Sequence, residues 1–352
     1  MKNNILLVVI DCLRYDRVTE QFMPYLARFG EKNTIFTNFW SVSHCTDPAM
    51  TSLLSGKWPD ELRLYSMMYE HKDYSIPDDV EMLAQIAKNH GYSTGMISNL
   101  GRWYTRGVDD YVNSRGWQSQ TFSEAMRMMD DLPEPWFITV HDDSCHSNYR
   151  DGSYNAACKA VDSDLLRLFH HISMADKEEN TFIFITSDHG EGLGDHGIKQ
   201  HGFGLWPVLT HVPMVAYLPG IESPQVIDDI FQHVHVYDWM VGNIGLHEVE
   251  YRNPARYAHM AGRTPHFWHR AVTDGETLIV KEQPVNAEMQ PKWMEYSLEH
   301  ECVKNSSESP IYDLWIEAIG HAAKFGIDAN NDGVLNDELL EQRLKQLGYF
   351  ND

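Results

Sequence analysis

Basic residues are scarce in this chain. Its 352 residues carry 28 Lys and Arg against 51 Asp and Glu, a formal net charge of −23. Such a balance disfavours general nucleic-acid binding or attachment to an anionic membrane, because affinity for polyanions rests largely on Lys and Arg contacts to phosphate. Cysteine is also sparse: Cys12, Cys45, Cys145, Cys158 and Cys302 are odd in number and show no CxxC spacing. A disulfide framework is not expected, and a reducing, cytoplasmic setting is. Long apolar runs are missing too. Ile5–Ile10 is too short for a signal peptide's apolar region or a membrane span and stops at Asp11, so no membrane segment is expected. There is no internal repeat or low-complexity block. What is there is the composition of an ordinary globular protein, 43% hydrophobic and 22% charged, in a chain long enough to bury a large core.

Short β-rich apolar runs alternate with amphipathic stretches. Strands are predicted at Ile5–Ile10, Ser93–Ser98, Trp136–Val140, Thr181–Ser187 and Pro213–Tyr217. Helices are predicted near Met23–Gly30, Pro48–Ser55, Val80–His90, Ser153–His171 and Ile227–Ile244. Continuous apolar strands separated by helices indicate an α/β fold with a mainly parallel central sheet and helices on both faces. Beyond about Gly245 the pattern loosens. Arg270–Val280 reads as a hairpin turning at Asp274-Gly275, and a last helix is expected near Asp337–Leu347. The expected organisation is a main domain over residues 1–250 and a small C-terminal α+β subdomain over 251–352 packed on it.

Three of these strands finish in potential metal ligands. Ile5–Ile10 runs into Asp11, Trp136–Val140 into His141, Asp142, Asp143 and His146, and Thr181–Ser187 into Asp188 and His189. Sites in open α/β sheets gather outside the carboxyl ends of strands. Several carboxylates crowded at a buried sheet end are costly unless a cation sits among them. The segment HCTDPAMTSLLSG adds a hydroxyl: Thr46 stands before Asp47-Pro48 at the start of a predicted helix. That is a helix N-terminus signature, where backbone N–H groups and the helix dipole favour an anion. Thr46 read alone is an N-cap; beside the strand-end ligands it becomes a candidate nucleophile.

VVIDCLRYD, TDPAMTSLLSGKWP, FITSDHGEGLGDHG and HGFGLWPVLTHVPMV resemble, in order, the blocks of the sulfatase-like branch of the alkaline phosphatase superfamily. The resemblance covers roughly residues 3–220 and implies an alkaline phosphatase-like fold. It implies a principal metal site of Asp11, Thr46, Asp188 and His189, with the Thr46 hydroxyl on the ion. His141 and His146 match the HxxxxH block of phosphoethanolamine transferases, and His201 follows His189 at their spacing. Asp142 and His146 fit the DxxxH spacing of two-zinc nucleotide phosphodiesterases. A second site of Asp142, His146 and His201 is thereby implied. Mixed nitrogen and oxygen ligands suit zinc or manganese, with calcium as the all-oxygen alternative.

Departures from the pattern matter equally. Formylglycine sulfatases carry Cys or Ser in a CxPxR context. Here that position is Thr46, the Arg position is Met50, and Cys45 stands one residue early. The GKWH block is replaced by Met96–Asn99, and the second acid of the usual DD pair is Cys12. These changes favour the Thr-nucleophile phosphoester branch over a sulfatase. The expected activity is metal-dependent hydrolysis of a small-molecule, lipid or sugar phosphoester through phosphothreonine at Thr46. His141 would assist the leaving oxygen, and Lys199, Asn99 and Arg14 would contact the non-bridging oxygens. The alternatives are a sulfuric-ester hydrolase without formylglycine, a soluble phospho-group transferase and a non-catalytic binding protein. His196 reads either as support for a ligand or as loop packing. The stretch from Asp328 to Leu339 resembles an EF-hand loop but has Leu339 where a bidentate Glu belongs; otherwise it is a polar turn.

Overall fold

The computed structural model describes residues 2–66, 74–115, 120–146, 149–221, 223–245, 255–285, 292–297 and 311–323. In chain order the strands of the main body are β1 (Asn4–Ile10), β2 (Thr34–Phe36), β3 (Phe39–Trp40), β4 (Ser93–Ser98), β5 (Asp110–Asn113), β6 (Trp136–Asp142), β7 (Thr181–Thr186), β8 (Met214–Tyr217), β9 (Gln225–Ile227) and β10 (Phe231–Gln232). Eight of them form one sheet in the order β5-β4-β6-β1-β7-β8-β2-β9, while β3 and β10 pair apart. Within the sheet only β8 runs against the others; the remaining pairings are parallel. The mainly parallel α/β sheet expected from the apolar runs is therefore present.

The helices are α1 (Pro24–Lys32), α2 (Thr46–Ser55), α3 (Pro59–Leu62), α4 (Leu83–Asn89), α5 (Thr121–Asp131), α6 (Tyr154–Met174), α7 (Pro207–Thr210) and α8 (His233–Ile244). Central β1 is buried along its whole length, because both faces are covered. Its residues alternate between two cores, as the period-2 geometry of a strand requires. Ile5, Leu7 and Val9 pack with Met50 and Leu53 of α2, Leu83 of α4 and Met240 of α8. Leu6, Val8 and Ile10 pack with Leu26 of α1, Met128 of α5 and Leu165 of α6.

One helix expectation needs correction. Ile227–Ile244 is not a single helix: Ile227 ends β9, Phe231–Gln232 forms β10, and helix begins only at His233. The β-branched and aromatic side chains there fill a sheet edge, which overrides helical periodicity.

The C-terminal region builds a separate antiparallel sheet from β11 (Ala258–Arg263), β12 (Phe267–Thr273), β13 (Thr277–Pro284) and β14 (Lys292–Ser297). The β12–β13 hairpin turns at Asp274-Gly275. Asp274 Oδ1 accepts the N–H groups of Glu276 and Thr277 at 3.0 and 2.8 Å, and Gly275 takes a φ of 93° that other residues resist. Helix α9 (Tyr312–Ala323) lays Trp315 and Ile319 against Val272 and Ile279 on one face. The other face, with Ala271, Leu278 and Val280, packs on Trp40, Leu205 and Ile230 of the main body. The helix expected near Asp337–Leu347, the EF-hand-like stretch and Cys302 lie outside the described residues.

Candidate active site

Sheet register creates the site. Val9 of β1 is level with His141 of β6 and Thr186 of β7, so the segments after these neighbouring strands leave the sheet side by side. Asp11 N–H donates to the Asp142 carbonyl at 2.9 Å. Ser187 Oγ accepts the Leu13 N–H at 2.9 Å and donates to the Ile10 carbonyl at 2.7 Å. These bonds lock the exits of β1, β6 and β7 together.

The residues expected in the principal metal site meet there. His189 Nε2 lies 3.1 Å from Thr46 Oγ1, 3.4 Å from Asp188 Oδ2 and 3.7 Å from Asp11 Oδ1. Donors sharing a tetrahedral ion at about 2.0–2.1 Å stand roughly 3.3 Å apart, close to these spacings. His141 Nε2 is 3.8 Å from Asp11 Oδ2 and 3.9 Å from Asp188 Oδ2, and its Nδ1 faces Ser98 Oγ at 3.4 Å.

Thr46 opens α2, with Cys45 as an extended cap before it. Thr46 is thus the first helical residue, one place later than an N-cap. Thr46 is 3% exposed and stands at a helix start, where first-turn N–H groups favour anions. The helix stops at Gly56, whose φ is 67° and where a Cβ would come within 2.4 Å of the Tyr237 ring. That junction sets α2 against α8.

The donor set fits a divalent cation. Asp11 Oδ1, Asp188 Oδ2 and His141 Nε2 are buried without a hydrogen-bond partner, a costly condition that a cation among them would relieve. His189 Nδ1 donates to the Gly190 carbonyl at 2.9 Å, which leaves the Nε2 lone pair directed at Thr46 and the carboxylates. Burial lowers the His189 pKa. Burial opposes charge on Asp188, yet His189 and His141 outweigh it and hold this carboxyl below the usual range. Burial likewise disfavours charge on His141, but Asp188 and Asp11 overcome it and push its pKa up.

Other expected residues divide. Asp142 does not face the cluster. The alternation of β6 puts Trp136, Ile138 and Val140 in the core beneath α5 and α6, and Asp142 continues that row. Its Oδ1 accepts the Ser144 N–H at 3.1 Å, and burial pushes its pKa to about 6. Asp143, one residue on, is the acid near the cluster: burial raises its pKa, His141 opposes the rise and Asp11 adds to it. Asn99 donates to Asp143 at 2.9 Å, which places it at the border of the cluster.

Arg14 is not free for substrate. Its guanidinium is engaged by Asp16 at 2.7 and 2.9 Å and by Asp195 at 2.7 Å. Lys199 is exposed, and among the described residues no ion pair holds it at the cluster. His196 stacks on Trp206 at 4.5 Å, the loop-packing alternative. His201 lies at the centre's edge: its ring is 4.6 Å from that of His189 and 4.8 Å from that of His146, and its Nδ1 faces Glu191 Oε2 at 3.3 Å. Burial works against charge on His201, but Glu191 outweighs it and raises the pKa.

Sequence reasoning gives no role to Cys12 or Glu191. Both are fully buried, and among the described residues Cys12 belongs to two of the three groups of donor atoms close enough to hold an ion. The signal for Glu191 is its place two residues after His189; that for Cys12 is its place beside Asp11.

A family model described as Sulfatase matches residues 3–245. The chain is 24% identical to inner membrane protein YejM of Salmonella typhimurium over 342 residues, covering 92% of this chain and 55% of that protein. It is 32% identical to iduronate 2-sulfatase of Homo sapiens over 88 residues, covering 24% of this chain and 16% of that protein. The chain thus spans about half the length of YejM. Among solved structures it superposes on phosphonate monoester hydrolase SpPMH from Silicibacter pomeroyi with a TM-score of 0.71 at 13% identity, covering 95% of this chain and 97% of that one. On BT4656 in complex with D-glucosamine-2-N,6-O-disulfate the TM-score is 0.75 at 12% identity, covering 94% of this chain and 99% of that one. Those structural likenesses establish the fold, and the matched model covers well over half of the sequence. The chain belongs to the sulfatase family.

Proposed function

We propose that this protein is a metal-dependent hydrolase of phosphoesters with Thr46 as nucleophile. The observation that carries the reading is Thr46 Oγ1, 3.1 Å from His189 Nε2 at the start of α2 and beside two buried carboxylates with unpartnered oxygens. Asp11, Asp188, His189 and Thr46 would hold the cation, zinc or manganese by donor chemistry. A bound divalent ion supplies Lewis-acid activation of a hydroxyl and neutralises charge on ester oxygens.

The chain's own groups then have defined tasks. Thr46 Oγ1 gives its proton to water and forms a bond to phosphorus as the ester P–O bond breaks, and the departing alkoxide takes that proton back from the water to leave as the alcohol. Water then attacks phosphothreonine, releasing phosphate and restoring the hydroxyl. Full burial against Asp11 and Asp188 suits His141 to holding the cation or a proton there, and we assign it that task in place of meeting the leaving group. Asn99 orients Asp143 through its amide. Residues 1–250 would form the catalytic unit and 251–352 the smaller unit packed on it, a division in keeping with a family match that ends at residue 245. No helix among the described residues is long and apolar enough to cross a membrane. A cytoplasmic setting rests only on Cys12, Cys45, Cys145 and Cys158 forming no disulfide.

Phosphoester is preferred to sulfuric ester because oxidation of a threonine side chain gives a ketone, not the aldehyde of formylglycine. The second reading, a sulfuric-ester hydrolase, is favoured by the sulfatase relatives. Turnover of aryl phosphate, bis-aryl phosphate and aryl sulfate on one metal-loaded sample separates the two. A phosphate ester is expected to be the best substrate, and sulfate as the best would reverse the assignment. Thr46→Ala is expected to lower turnover by roughly a thousandfold or more; full activity in that variant removes the nucleophile.

A further inference from the structure

The position beside Asp11 holds a thiol, and the backbone works to aim it. Cys12 has a φ of 66°, a left-handed conformation that costs an ordinary residue about 1–2 kcal/mol. Its N–H donates to Asp188 Oδ1 at 3.3 Å, and its carbonyl accepts the Tyr154 hydroxyl at 2.7 Å. Fixed at both ends, the side chain places Sγ 3.4 Å from His201 Nδ1, and Cys12, His189 and His201 each offer a ligand atom within 4.8 Å of the others. A tetrahedral ion about 2.3 Å from sulfur and 2.0–2.1 Å from imidazole nitrogen separates such donors by about 3.5 Å. Cys12 also groups with Asp11 and His146, their ligand atoms lying within 4.8 Å of one another. Independently of the thiol, the Asp11 Oδ1 and Asp188 Oδ2 atoms beside it are buried without a hydrogen-bond partner.

We propose that Cys12 is a thiolate ligand of the metal centre, paired with His201, making one side of that centre soft. The inference rests on the reading that the strand-end cluster binds a divalent cation. It fills the gap left by Asp142, which the alternation of β6 turns away. On binding, the thiol proton leaves to solvent and sulfur donates to the ion: one S–H bond is lost and one S–metal bond gained, with no change of oxidation state. A thiolate tilts the centre toward zinc and cadmium and away from magnesium and calcium.

The test is cadmium binding to the full chain, with ions counted by elemental analysis. In the wild type, a thiolate-to-metal charge-transfer band in the near ultraviolet and a cadmium-113 NMR resonance in the thiolate region are expected. Cys12→Ser and Cys12→Asp are each expected to lose both signatures; Cys12→Asp supplies an acid ligand in place of the thiol if the serine variant does not fold. Cys45→Ser is expected to keep both. Cadmium bound to the wild type without either signature overturns the proposal and leaves the metal-dependent reading standing. Signatures that persist in both Cys12 variants overturn it in the same way. No bound ion at all overturns both.

Discussion

Two buried charged clusters in this molecule are built on opposite principles. In the C-terminal sheet, Arg270 of β12 grips Asp60 of α3 through two parallel bonds of 2.7 and 2.9 Å. Burial would raise the Asp60 pKa, but Arg270 overrides it and lowers it. That pair is complete, cation and anion both supplied by the chain. At the carboxyl ends of β1, β6 and β7, by contrast, Asp11 and Asp188 face His141 and His189 with no Lys or Arg among them, and three of their polar atoms lack hydrogen-bond partners. Buried charge is tolerable only when compensated. The closed pair serves the fold, while the open cluster is built to receive a cation.

The largest expected effect breaks the closed pair. Arg270→Ala should cost about 3–5 kcal/mol of stability, because it strands a buried carboxylate. Thermal or denaturant unfolding reads this directly, and the surviving folded fraction should bind metal as the wild type does. A loss under about 1 kcal/mol would mean that water reaches Asp60.

The open cluster should answer to metal instead. An ion at a hundred times its dissociation constant should stabilise the fold by about 2.7 kcal/mol, raising the melting temperature by roughly 5 °C. Chelation should reverse the shift. In Arg270→Ala the metal-induced shift should survive; in Asp188→Asn it should vanish. Equal shifts in all three proteins would erase the distinction between the clusters.

The smallest effect is a null. Asp142→Asn should leave ion stoichiometry unchanged, since its side chain belongs to the opposite face of the sheet, whereas Asp143→Asn should weaken binding. If elemental analysis shows Asp142→Asn alone losing an ion, the strand-face argument is wrong.

How far the sequence carries follows from these residues. Uninterrupted runs such as LLVVI ahead of Asp11 mark parallel strands buried on both faces, and acids or histidines closing three such runs mark one sheet end. That much is periodicity and solvation, and both are local. The Asp142 assignment fails by one residue because DxxxH spacing outranks the period of two there; Phe137, Thr139 and His141 share a face, and the next member of that row is Asp143. Arg14 reads as a free cation in sequence because its partners Asp16 and Asp195 come together only in three dimensions. Cys12 reads in sequence as a site-lining thiol that does not act, because nothing in composition shows that its φ is positive. Helix α5 carries a legible apolar spacing at Phe122, Ala125, Met128 and Met129 that the sequence reading passes over.

The most direct measurement is an anomalous-scattering map from crystals of the manganese- or zinc-loaded protein, collected on both sides of the metal absorption edge. The account predicts a peak about 2.0–2.2 Å from His189 Nε2 and from one oxygen each of Asp11 and Asp188, with Thr46 Oγ1 turned toward it. A map with no peak among those four side chains, from crystals soaked at saturating metal, would contradict it.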